Sequence, residues 1–182
     1  FFTGVNTAAS LLQEDENGTL PRLFTTPTPQ AQILGGKFLS VGLTVGVQVI
    51  TLLLPSRLLF SIRWGALPGL ALAALAITCG AAAFGVFVAS MLRDPKQGGL
   101  VFGGVLTVTG MIGMADVFTR TPGGNPTSLV PLLAPQGWAV RSLLYSMNGE
   151  PLAGVLPYVL VLLGVSLALF AAGARRFQKR YA

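Results

Sequence analysis

The chain has 182 residues, 52% of them hydrophobic and only 10% charged, with a mean hydropathy of +0.70; soluble domains carry about 25% charged residues, so the composition excludes an ordinary soluble domain and reads as a membrane protein. The net charge of +6 comes from 12 Lys and Arg against 6 Asp and Glu, but the basic residues stand at the ends of apolar runs instead of covering one polar face, which argues against a nucleic-acid partner. Histidine is absent and the single cysteine, Cys79, lies inside an apolar run, so the chain cannot build an internal disulfide framework and offers no zinc or haem ligand set.

In chain order, residues 1–12, "FFTGVNTAASLL", are apolar but too few to cross a bilayer, which needs about 20 residues. They read as the end of a span, with an N-terminal part of the full-length protein expected to precede them. Residues 13–32 are different in kind: Glu14, Asp15 and Glu16 cluster in a chain with few acids, followed by a Pro-punctuated segment. Complete spans are predicted at 33–54, where Lys37 can snorkel to the headgroups, and at 66–92, 98–115 and 155–174. The span 66–92 is longer than the hydrocarbon core requires, so it is expected to tilt or to break near Pro68 and Gly69. Between the last two spans, 116–154 is too long for a turn and contains Pro131, Pro135, Trp138 and Tyr145. Prolines in a moderately apolar run and aromatic residues suited to the interface predict short interfacial or re-entrant helices. Residues 175–182 form a basic tail.

Alternation of the spans puts the acidic segment, the turn 93–97 and the basic tail on one side. That side then holds Arg22, Lys37, Arg93, Lys96 and the four cations of the tail, against Arg57, Arg63, Arg120 and Arg141 on the other. The positive-inside rule makes the richer side cytoplasmic.

The missing chemistry narrows the function. No G-x-x-x-x-G-K-[ST] pattern occurs, and "GGKF" at Gly35–Phe38 lacks both the spacing and the hydroxyl residue, so ATP binding by this chain is not expected. Without histidine, Ser-His-Asp and Cys-His nucleophile systems cannot form. The predicted span interiors offer Thr and Gln but no acid or base for proton coupling. A span-rich chain with no energy-converting chemistry and a cytoplasmic acidic patch implies an external motor.

At this point the residues resemble the permease subunits of ABC transporters of the second export type, the drug, polysaccharide and teichoic-acid exporter class. The resemblance rests on an acidic pair followed by Gly-Thr-Leu, a further Leu, a Pro and a span opening with Gly-Lys, matched here by Glu14, Glu16, Gly18, Thr19, Leu20, Leu23, Pro27, Gly36 and Lys37. A second match is the P-x-x-W-A stretch at Pro135, Trp138 and Ala139, and the basic tail also fits. Departures are Pro21 directly after Leu20 and the prolines within Thr25–Pro29. The resemblance implies an all-α polytopic membrane bundle, six-spanning in the full-length chain, that is not itself an enzyme and carries no cofactor. It implies two copies of a partner ABC ATPase holding ATP and magnesium, and a second permease chain, identical or different, within the lipid bilayer.

In that class the cytoplasmic segment is a coupling helix seated in a groove of the ATPase, a role that falls here on Glu14, Glu16, Gly18, Thr19, Leu20, Leu23, Phe24 and Pro27. The residues suit it: Leu20, Leu23 and Phe24 have the spacing of one apolar helical face, and the acids can meet basic residues on a partner. Thr44 and Gln48, four apart on one helical face, either line a pathway or bond to a neighbouring helix. Gly99 with Gly103, and Gly110 with Gly113, form small-residue faces for helix packing. The resemblance makes Pro135 and Trp138 an outer gate, while the residues alone favour an interfacial anchor. The rival readings are a channel or passive carrier with a regulatory acidic loop, and a membrane scaffold.

Overall fold

The computed structural model describes residues 1–7, 17, 30–91, 95–119 and 128–181. Residues 2–7 form a helical segment, α1. It is followed by α2 (Gln30–Phe60), α3 (Leu67–Met91), α4 (Pro95–Thr119), a 3-10 turn (Val130–Leu133), α5 (Pro135–Met147) and α6 (Leu152–Tyr181). Among the described residues there is no strand. The architecture is an all-α polytopic membrane bundle. Gly35–Phe60, Leu67–Met91 and Leu152–Arg176 are each long and apolar enough to cross a bilayer, and α4 adds the shorter apolar stretch Gly103–Phe118.

The span windows differ in what surrounds them: 56% of the α3 window is buried against 11% for α2 and 22% for α6, which makes α3 the central helix. Its sequence explains that position. Ala76, Gly80, Ala81, Ala82, Ala83 and Gly85 give it a narrow girth, and small residues allow neighbouring backbones to approach closely where lipid supplies no hydrophobic drive for association. At the α1 crossing, a Cβ on Gly85 would lie 2.5 Å from the Gly4 carbonyl oxygen, and one on Gly4 would lie 2.5 Å from that of Ala81. Against α6, Gly80 receives Leu162 and Gly173 lies on the Phe87 backbone. The apolar clusters follow these contacts, with Val41 and Val45 of α2 on Ala81, Ala82 and Val86, and with Val155, Val159 and Leu162 of α6 on Ala76 and Ala139.

The helix ends extend the expectations from sequence. Pro68 is the second residue of α3, within the first turn, where a helix has no use for its missing N–H. The span therefore begins at the proline instead of breaking there, and runs unbroken for 25 residues. Pro55 and Pro157 are accommodated inside α2 and α6. The helix α4 continues to Thr119, past the span end at 115, and so carries Asp116 within its last turns.

Candidate functional site

Between α4 and α6, residues 128–151 form a hairpin of two short elements, each with a proline in its first turn. Pro131 is the second residue of the 3-10 turn and Pro135 the first of α5. A proline disfavours helical geometry in the residue before it, and Ala134 is extended at φ −112°, ψ 143°, which bends the chain between the two. The bend is tied by the Ala134 N–H donating to the Pro131 carbonyl at 3.2 Å and by the Trp138 indole N–H donating to the Leu132 carbonyl at 2.9 Å. Gly137 is required there, because a Cβ would collide with the Pro131 carbonyl. The far end of α5 closes in a Schellman arrangement: Gly149 stands at φ +78°, its N–H donating to Ser146 O at 3.1 Å and the Glu150 N–H to Tyr145 O at 3.2 Å.

A row of contacts fixes this hairpin to α4. The Gln136 amide donates to the Thr109 hydroxyl at 2.8 Å. Four residues on, Gly113 lies against the hairpin backbone so closely that a Cβ would come 2.7 Å from Gln136 Cβ and 2.8 Å from the Gly137 nitrogen. Three residues further, Asp116 accepts a hydrogen bond from Arg141 Nε at 2.8 Å. Thr109, Gly113 and Asp116 have the 4 and 3 spacing of one helix face. Both series rise together, 109 with 136 and 116 with 141, so α4 and α5 run in the same direction. Thr109 lies ten residues before Thr119, about 15 Å along the axis. The hairpin therefore reaches about 15 Å back along α4 from that helix's C-terminal end.

Asp116 and Arg141 are 2% and 4% exposed, a buried ion pair, and the Arg141 Nη2 also donates to the Ser128 carbonyl. Such a pair is retained against its desolvation cost only when both charges are well bonded, as here. Gln136 is held differently. The Thr109 hydroxyl donates to the Val105 carbonyl at 2.7 Å, which commits its hydrogen and orients the Gln136 amide nitrogen toward the oxygen. Gln136 Oε1 then remains buried without a partner. The same residue borders a cleft of about 260 Å³ lined by Phe1, Phe2, Gly103, Leu106, Thr107 and Gly110.

The other end of α5 is bound to the α2–α3 connection. Ser146 Oγ donates to the Trp64 carbonyl at 2.8 Å, and the Trp64 indole donates to Ser56 Oγ at 3.0 Å. Gly65, at φ +84°, lies where a Cβ would strike the Ser146 carbonyl. Tyr158 of α6 stacks beside Tyr145 at 4.7 Å and Trp138 at 6.1 Å between ring centres.

The residues singled out from the sequence fall in several places. Pro135 and Trp138 are in the hairpin. Gly113 is in the contact row, whereas Gly103 and Gly110 border the cleft with nothing within 4 Å of a built Cβ, and Gly99 is in the first turns of α4. Thr44 and Gln48 are on an exposed face of α2, the Thr44 hydroxyl donating to the Ser40 carbonyl of its own helix at 3.1 Å. The proposed coupling residues Glu14, Glu16, Gly18, Thr19, Leu20, Leu23, Phe24 and Pro27 lie outside the described residues. Sequence reasoning missed Asp116, Arg141, Gln136 and Thr109 as a set. The available signal was an acid at a span end and an arginine in the moderately apolar stretch that follows, in a chain with few acids.

An all-helical bundle with several apolar helices of bilayer length defines a multi-pass membrane protein. The chain belongs to the ABC-2 family transporter proteins, whose pattern it matches over residues 1–175. It is 28% identical over 179 residues to the linearmycin resistance permease protein LnrN of Bacillus subtilis (strain 168), a match that takes in 95% of this chain and 45% of the relative. The chain thus spans a little under half the length of that curated relative.

Proposed function

We propose that the chain forms the translocation pathway of an ATP-driven exporter in a bacterial cell membrane, working with ATPase subunits that hold the nucleotide and magnesium. Family membership and a relative named as a resistance permease support the reading. The observation that carries it is the hairpin fixed to α4 by the Asp116–Arg141 pair. It sets a proline-bent element along α4, which this reading places within the membrane. Irregular backbone is tolerated at such depth only where protein or a cavity surrounds it, which is the setting of a pathway closure.

In this reading the hairpin end is extracytoplasmic and Pro135 and Trp138 belong to the outer closure. Residues 14–27 receive the motion of two ATPase subunits, and a second permease chain completes the pathway. Closure of the ATPases shifts the bundle between two arrangements, with α4 and the hairpin moving as one body.

The test is extraction of the full-length protein from its native membrane in mild detergent and native mass spectrometry of what accompanies it. Two permeases with two ATP-binding subunits are expected. A stable assembly without an ATPase across several detergents would replace this reading with a channel or carrier.

A further inference from the structure

We infer that the α2–α3 edge of the bundle holds an anionic glycerophospholipid, with its phosphate between Arg57 and Arg63 and an acyl chain in the apolar groove along the same two helices. The argument begins at the end of α2. Ser61 follows Phe60 at φ +53°, a left-handed conformation rare for a residue with a side chain, and ends the helix by turning the chain back on itself. The turn brings Arg63, Trp64 and Gly65 back over Arg57, and together with Ser61 and Ile62 they line a pocket of about 360 Å³. The connection is held in place by the Trp64 hydrogen bonds to Ser56 and Ser146. Both guanidinium groups are exposed, and among the described residues neither has a hydrogen bond or an ion-pair partner. Two like charges around one pocket repel unless an anion lies between them, and planar guanidinium forks match phosphate oxygens.

The source of the phosphate is decided by what lies below. An apolar groove of about 570 Å³ runs between α2 and α3, with Gly42 and Gly46 as its floor and Leu43, Ile50, Leu75 and Thr78 among its walls. Arg57 is seven residues beyond Ile50, two helical turns, so it stands on the same face of α2 as the groove and about 10 Å further along the axis. The interfacial layer on each side of a bilayer core is about 5–8 Å thick, so a groove ending near Ile50 in the hydrocarbon puts Arg57 among the headgroups. Trp64 at that level and the exposed Leu58, Leu59 and Phe60 fit the same boundary. A free phosphate would use the pocket and leave the groove empty. A lipid fills both.

The test uses full-length protein in detergent micelles, with native mass spectrometry against palmitoyl-oleoyl-phosphatidylglycerol, the same chains on phosphatidylcholine, and inorganic phosphate. The wild type is expected to retain phosphatidylglycerol at least tenfold better than phosphatidylcholine and not to be competed by millimolar phosphate. The R57A/R63A double variant should lose that preference, R57K/R63K should keep part of it, and Gly42→Leu, which has open space for its side chain, should weaken retention of the lipid while leaving the fold intact by circular dichroism. Equal retention of both lipids by the wild type, or unchanged preference in R57A/R63A, overturns the site. Competition by inorganic phosphate with no effect of Gly42→Leu assigns the pocket to a free anion and overturns the lipid. None of these outcomes bears on whether an ATPase accompanies the chain.

Discussion

Asp116 and Arg141 meet at 2.8 Å across the contact between a membrane helix and a re-entrant one, both almost wholly buried. Twenty-five residues separate them in the chain, and the pair holds the hairpin against α4 at the end opposite the Thr109–Gln136 contact. Removing one partner strands the other charge. Asp116→Asn or Arg141→Leu is expected to cost about 3–5 kcal/mol, whereas the joint replacement Asp116→Leu with Arg141→Met should recover most of it. Denaturation of the detergent-solubilised protein followed by tryptophan fluorescence, in a double-mutant cycle, measures both effects. Additive losses would mean the pair is not coupled.

Glycines along α4 should separate into two classes. A Cβ at Gly113 meets the hairpin backbone, while one at Gly110 meets nothing within 4 Å. Gly113→Ala should therefore destabilise by about 1–3 kcal/mol or displace the hairpin, in the manner of an overpacked core. Gly110→Ala should be neutral or gain up to about 1 kcal/mol from helix propensity. Melting temperatures of the two variants in the same detergent decide it, and equal values would place the hairpin elsewhere.

Gln136 offers a contrast between stability and activity. Its Oε1 has no partner, and Thr109 keeps its hydrogen bond to Val105 without it. Gln136→Leu loses one hydrogen bond and also removes a buried unsatisfied acceptor, so the net change should stay within about 1 kcal/mol. If the amide serves the pathway, export by the full-length protein should fall while the melting temperature holds. A large drop in melting temperature with normal export would make Gln136 structural.

Coupling to an ATPase can be tested in the acidic segment. Leu23→Asp combined with Glu16→Arg removes an apolar contact and inverts a charge. Loss of the ATPase subunits from the purified full-length assembly is the expected result, with the permease still in the membrane. Normal assembly and export would move the docking contact away from residues 14–27.

The all-helical membrane bundle was legible in the sequence for physical reasons. Apolar runs of bilayer length admit few other structures, and Pro131 with Pro135 break a moderately apolar run. The acid–arginine pair was less legible, because a charge at the end of an apolar run looks like the boundary itself. Asp116 reads as the first residue outside the span, and only the continuation of α4 to Thr119 puts it inside. Its partner could not be chosen from sequence, since the parallel register of α4 and α5 depends on contacts at Gly113 and Gly137 that spacing alone does not reveal. Thr44 and Gln48 illustrate the opposite case: their common face follows from helical periodicity, but what that face meets is decided by neighbours.

The shared direction of α4 and α5 also shapes the protein as a solid body. Toward the hairpin end, a cross-section near α4 cuts α4, the 3-10 turn and α5 together; toward the tail end, the same section meets α4 without them, and the cleft beside Gly103 and Gly110 lies there. Among the described residues α4 thus has two different neighbours along its length: the hairpin beside Thr109, Gly113 and Asp116, and α1 beside Val105 and Leu106 through the cluster around Val5. The cleft lies where these two neighbours meet, with Phe1 and Phe2 on one side and Gln136 on the other, so the space beside the unpartnered Gln136 oxygen is set jointly by two segments more than a hundred residues apart in the chain.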